Sequence, residues 1–172
     1  LVKICPQVST VSGIDSLSVL SRLSERFKHE QLEVNLYPGN FLEMDLPKES
    51  FSKILIYSVL HYIADRDLAI IFIERALSLL KPGGRLVLGD LPNRDKKKRF
   101  MASLEGKVAH KKWEGQLAIS GDHPLAAFHA DEENVDINDE FIISLVSWGR
   151  NKGYDAGVLE QEPGLPFCNT RE

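Results

Sequence analysis

Asp15, Ser58 and Asp90 each follow at once on a short β-branched or apolar run, and Asn40 with Phe41 closes a fourth such run. His61 and Tyr62 trail Ser58 by three and four residues. Ligands of open α/β sheets bind in the crevice outside the carboxyl ends of the strands, so this spacing predicts one rim of a ligand site, with Asn93 just beyond Asp90. A carboxylate in such a place accepts hydrogen bonds from ribose hydroxyls through both oxygens. Asp15 fits that role, although the same residue type also forms turns and caps helices. Imidazole is the side chain best matched to proton transfer near neutral pH, which makes His61 the first candidate for a general base and Tyr62 the second. Packing against a ligand or the following helix is the alternative for both.

Other polar groups suggest less. His110, His123, His129, Asp122 and Asp131 match no metal-binding spacing, and 131–139 lacks the glycine and terminal Glu of a calcium loop, so no metal site is expected. Cys5 and Cys168 stand far apart without ligand spacing, which suits a reducing compartment. A formal charge of -4 gives no reason to expect nucleic acid or an anionic membrane. No apolar run approaches the roughly 20 residues of a membrane span, and no signal peptide is recognisable. The expected setting is the cytoplasm and the expected partner a small molecule.

Strands must carry the rim. Residues 8–15 read as a strand leading into a turn, and 32–37 as a second, broken by Pro38-Gly39-Asn40. Between them Leu17, Leu20, Leu23 and Phe27 recur at helical spacing, after a cap at Ser16 or Ser18 and before Lys28-His29-Glu30. The nearly continuous apolar run 53–57 has the pattern of a strand buried on both faces of a parallel sheet. Asp65-Arg66-Asp67 opens a helix with Leu68, Ile71, Ile73, Leu77 and Leu80, the turn Lys81-Pro82-Gly83-Gly84 ends it, and 85–90 resumes as a strand. Strand, helix and strand in that order form a right-handed parallel crossover in nearly every case, so 51–93 is one such unit. The charged run 94–99 reads as a solvated helix start, followed by an irregular polar region to Asp139. Phe141, Ile142, Leu145 and Trp148 then mark a helix capped by Asn138 or Asp136, and 156–161 a last strand.

The fold class expected is α/β, a doubly wound, mainly parallel sheet with helices on both faces, in a single domain over 1–172. Its parts are a cofactor-binding core (1–93), a variable acceptor or lid region (94–139), and a C-terminal helix and strand (140–172). In dinucleotide-binding sheets a glycine loop lies about 20 residues before the ribose-binding acid. Only fourteen residues precede Asp15. The loop and its strand are therefore expected upstream of Leu1, and the chain reads as a piece of a longer protein.

Val11-Ser12-Gly13-Ile14-Asp15-Ser16, Gly39-Asn40-Phe41, Ser58-Val59-Leu60-His61-Tyr62 and Leu79-Leu80-Lys81-Pro82-Gly83-Gly84-Arg85-Leu86 occur in an order and spacing that resemble a class I S-adenosylmethionine-dependent methyltransferase. The last segment is the most specific. The resemblance covers 8–93 and, more weakly, 141–167. It implies a Rossmann-like seven-stranded sheet and methyl transfer from S-adenosylmethionine to a small-molecule acceptor, with S-adenosylhomocysteine as product. It implies further that Asp15, with Ser16 beside it, binds the ribose, that Asn40 and Phe41 flank the adenine, and that Tyr57 and Ser58 border the methionine end. The family often has Asp where Asn40 stands and Phe-Asp where this chain has Phe51-Ser52, and its final antiparallel strand would begin near Arg171, so that strand too is expected to be cut away. A catalytically silent scaffold of this fold and an NAD(P)-dependent oxidoreductase are the rival readings. The acceptor, the atom methylated and the oligomeric state are not encoded in these motifs.

Overall fold

The computed structural model of the chain describes residues 8, 10–27, 33–120, 134–165 and 167–172, in two compact units, Leu1–Lys48 and Glu49–Glu172. In the first unit β1 (Thr10–Asp15) is followed by α1 (Leu17–Phe27) and β2 (Glu33–Pro38). The strands are parallel, in register from Thr10 opposite Glu33 to Asp15 opposite Pro38. Helix α1 packs against both strands. Its predicted stripe buries Leu20 and Phe27, whereas Leu17 is 69% exposed.

The second unit contains β3 (Phe51–Tyr57), a 3₁₀ turn (Leu60–Tyr62), α2 (Arg66–Ser78), β4 (Leu80–Gly89), α3 (Arg94–Ala102), α4 (Leu104–Ser120) and α5 (Asp139–Asn151). Asp65 caps α2 by accepting from the Leu68 N–H at 2.8 Å, an interaction worth about 1 kcal/mol. Strands β3 and β4 are parallel, from Lys53 opposite Arg85 to Tyr57 opposite Gly89. The expected crossover of 51–93 is thus present, and each unit is an α/β element of the expected class.

The glycine turn lies differently from the reading of the sequence. Phe51 already pairs with Leu80 and Lys53 with Arg85, so a step of two residues on β3 faces a step of five on β4. Lys81-Pro82-Gly83-Gly84 therefore bulges out of the ladder inside β4 and does not precede the strand. Gly83 has φ +74°, and a Cβ on Gly84 would lie 2.8 Å from the Lys81 carbonyl oxygen, so the bulge requires both glycines.

Three more expectations are corrected. Strand β3 is not buried on both faces: Ile56 is buried, while Leu55 and Tyr57 are 47% and 41% exposed, since helix packing covers one side of this two-stranded sheet. From Arg94 to Ser120 the region expected to be irregular is helical, through α3 and α4, whereas 121–133 lie outside the described residues. Asn93 starts it by accepting from the Asp95 and Lys96 N–H groups. Residues 156–161 form no strand, since that stretch makes no ladder with β3 or β4. The expected cap of α5 is Asn138, which accepts from the Phe141 N–H at 2.9 Å.

Buried apolar side chains of this unit include Leu60, Ile63, Leu91, Val135, Ile137 and Phe141. Each such side chain contributes on the order of 1.5–3 kcal/mol. The Val135 N–H donates to the Ile63 carbonyl at 2.7 Å and the Arg94 N–H to that of Ile137 at 2.9 Å, tying 135–137 to the turn after β3 and to the start of α3.

Candidate functional site

In the first unit Asp15 ends β1, its carbonyl accepting from the Gly39 N–H at 3.1 Å, so the turns leaving β1 and β2 are held side by side. Its Oδ1 accepts from the Ser16 N–H at 2.6 Å. Its Oδ2 has no partner among the described residues, and the side chain is exposed. The Ser16 carbonyl accepts from Val19 and Leu20 and so begins α1. Asn40 is largely committed to its own turn: Oδ1 accepts from the Leu42 N–H at 3.1 Å and Nδ2 donates to Glu43 at 2.8 Å. Phe41 beside it is half-buried. A shallow groove of about 400 Å³ between α1 and β2, lined by Leu17, Leu20, Ser21, Ser24, Glu25, Leu36 and Pro38, touches none of these residues.

In the second unit Ser58 and Asp90 are the first residues past the adjacent strands β3 and β4. Both hold left-handed backbones, φ 58° and 59°, which cost a residue other than glycine on the order of 1–3 kcal/mol. The Ser58 hydroxyl donates to Asp90 Oδ2, and its N–H to the Gly89 carbonyl at 3.1 Å. Tyr57 lies across Gly89, where a Cβ would come within 2.8 Å of the ring. Ser58 and Asp90 are thus strained, paired and at neighbouring strand ends, the pattern expected where backbone strain serves a site.

His61 and Tyr62 sit on the 3₁₀ turn between the buried side chains Leu60 and Ile63. Their rings are 4.1 Å apart, and Tyr62 is 57% exposed. His61 Nδ1 is buried without a hydrogen-bond partner. Burial pushes the imidazole below its ordinary value of 6.5, the Arg171 guanidinium pushes the same way, and the Asp90 carboxylate opposes both. Burial and Arg171 thus both disfavour the charged form of the ring.

Arg171 is the residue that reading the sequence missed. Residues 170–172 return antiparallel to 91–93, with Arg171 bridged to Pro92 and Leu91 and Glu172 exchanging hydrogen bonds at 2.9 and 3.0 Å. Arg171 Nη1 lies 3.1 Å from Asp90 Oδ2 and 3.3 Å from the Asp90 carbonyl, with side chains only 18% and 12% exposed. Lys96 pairs with Glu172 at 3.0 Å, and the buried Asn93 donates to Asp139 at 2.8 Å. No local signal links residues 81 positions apart. The family's final antiparallel strand was expected to be cut away near Arg171, yet Arg171 bridges antiparallel to Pro92.

Among the described residues no group of three or more His, Cys, Asp or Glu side chains could hold a metal, and no helix is long and apolar enough to cross a membrane. His110 is on α4, whereas Cys5, Lys28-His29-Glu30, Asp122, His123, His129 and Asp131 lie outside the described residues.

Comparison with known proteins adds the family. The chain aligns over 91% of its length with the crystal structure of a candidate O-methyltransferase from Nostoc punctiforme, at 18% identity and a TM-score of 0.59. It spans 42% of that chain. No curated protein matches. The likeness establishes a Rossmann-like α/β fold. The family model described as a methyltransferase domain matches residues 1–88, half of the chain. The chain therefore belongs to the methyltransferase domain family.

Proposed function

We propose that this domain serves methyl transfer from S-adenosylmethionine to a small-molecule acceptor. The observation that carries the reading is Asp15, an exposed carboxylate at the end of β1 whose Oδ2 has no partner among the described residues, next to the β2 turn that bears Asn40 and Phe41. A free acceptor oxygen in that position fits the hydroxyls of an adenosyl ribose. Asp15 and Ser16 would hold the ribose, and Asn40 and Phe41 the adenine. Asn40 has one amide hydrogen left for that task, so Phe41 carries more of the adenine contact than Asn40. When bound, the cofactor supplies an electrophilic methyl group on a sulfonium.

What remains for the protein is to orient the acceptor and remove its proton. His61 is the candidate for that step: burial disfavours its charged form, and the turn carrying it is anchored by Leu60 and Ile63. Tyr62, mostly exposed, would line the acceptor's approach. The net charge of -4 supports a small metabolite over a nucleic acid or an anionic membrane.

Calorimetry with S-adenosylhomocysteine tests the reading. The protein should bind it, and Asp15→Ala should weaken binding by about ten- to a hundredfold, since hydrogen bonds to a charged group are worth about 1.5–3 kcal/mol. Because Asp15 is exposed, thermal stability should stay within about 0.5 kcal/mol of the parent. Stabilisation by NAD and not by S-adenosylmethionine would replace the reading with an oxidoreductase.

A further inference from the structure

Four polar groups at the ends of β3 and β4 have a bonding pattern that limits what they can receive. Ser58 donates its only hydroxyl hydrogen to Asp90, so toward any further partner it is an acceptor. Asp90 Oδ1 is unpaired among the described residues, and His61 Nδ1 is buried and unpaired. Arg171 places its charge against the Asp90 carboxylate, leaving that pair neutral. The cluster offers acceptors without a net charge from the ion pair, which favours an uncharged O–H or N–H donor over a carboxylate or an ammonium group.

We propose that Arg171 is a positioning residue of the acceptor site: by clamping Asp90 onto the Ser58 hydroxyl it holds both strained strand ends and keeps Ser58 as an acceptor for a neutral hydroxyl or amine. The assignment of an acceptor rests on the methyl-transfer reading; the clamp does not. The geometry is that of a fixed strut. Arg171 contacts both the side chain and the carbonyl of Asp90, stacks over Phe167 at 5.1 Å, and is delivered by backbone pairing of 170–172 with 91–93. A shielded pair of this kind is screened by salt far less than the exposed pairs of this unit.

The charged groups acting on His61 are Arg171 and Asp90, in opposite senses, with the Tyr62 ring against it. A histidine titration followed by NMR on the full chain, with His61→Gln assigning the resonance, therefore reads whether the two opposite charges of the pair are held beside His61. Arg171→Gln should move the His61 midpoint up and Asp90→Asn should move it down, while Arg171→Lys, which keeps the charge, should stay near the parent. Loss of structure alone would carry His61 toward the free-imidazole value in both neutral variants. Shifts in one direction for both, no shift in Arg171→Gln, or an Arg171→Lys shift as large as that of Arg171→Gln would each overturn the proposal. S-adenosylhomocysteine affinity measured on the parent separates the two readings: absent binding ends the methyl-transfer reading, whereas opposite His61 shifts still establish the clamp.

Discussion

His61 brings together burial, charge and chemistry in one side chain. An imidazole kept uncharged in the fold resists protonation that the unfolded chain accepts with a midpoint near 6.5. Above that pH both states are neutral and the residue has no effect on the balance. As pH falls below 6.5 the unfolded chain takes up a proton first, so stability drops until the pH passes below the depressed midpoint of the folded state. His61→Gln removes that proton uptake. Its denaturant midpoint should decline less steeply than the parent's over this interval, and parallel curves would mean that His61 titrates as a free side chain. The same neutrality serves the proposed base, because only the unprotonated ring can accept the acceptor's proton. Ser58 and Asp90 make the complementary point about backbone. Neither is glycine, yet both hold φ near +60°, and what compensates is their mutual hydrogen bond together with the grip of Arg171 on Asp90.

At the scale of the element, the bulge in β4 has a mechanical role. The parallel ladder needs Lys53 to Tyr57 opposite Arg85 to Gly89 if Ser58 and Asp90 are to emerge together, but α2 delivers the chain at Leu80, already paired with Phe51. Lys81-Pro82-Gly83-Gly84 absorbs the surplus length. The two glycines answer different demands and should fail differently. Gly83→Ala places a Cβ in open space and meets only the left-handed backbone penalty, about 1–2 kcal/mol. Gly84→Ala drives its Cβ to 2.8 Å from the Lys81 carbonyl oxygen and 3.0 Å from a Leu80 methyl, which moves backbone and so should cost more, about 2–4 kcal/mol. Urea unfolding of the two variants checks the order, and a smaller loss for Gly84→Ala would mean that the bulge does not have this geometry in solution. Because the bulge sets the register on which the strand ends depend, Gly84→Ala should also disturb the His61 titration, whereas Gly83→Ala should leave it close to the parent.

Across the whole molecule, legibility followed the range of the interactions. Helix α1 and the start of α5 at Asn138 or Asp136 rest on contacts within a few residues and were readable from spacing, as were the crossover of 51–93 and the placing of Asp15, Ser58 and Asp90 just at strand ends. Arg171 was not, because its meaning lies in a residue 81 positions away. The apolar run of β3 misled for a related reason: composition reports what a strand could bury, and the packing partners decide what it does bury. Opposed pairs Leu55 with Val87 and Tyr57 with Gly89 share one face of the β3–β4 sheet, and the large side chains there are 41–54% exposed, while Ile56 on the other face is 7% exposed. The two faces therefore predict unequal sensitivity within one strand. Ile56→Thr puts a hydroxyl and a smaller side chain into the packed face and should cost about 2–4 kcal/mol. Leu55→Thr keeps strand propensity on an exposed face and should cost less than about 1 kcal/mol, with Val87→Thr alike, and together they should reduce binding of an apolar dye. Equal losses at positions 55 and 56, measured by urea unfolding at low protein concentration, would mean that this face is covered in solution.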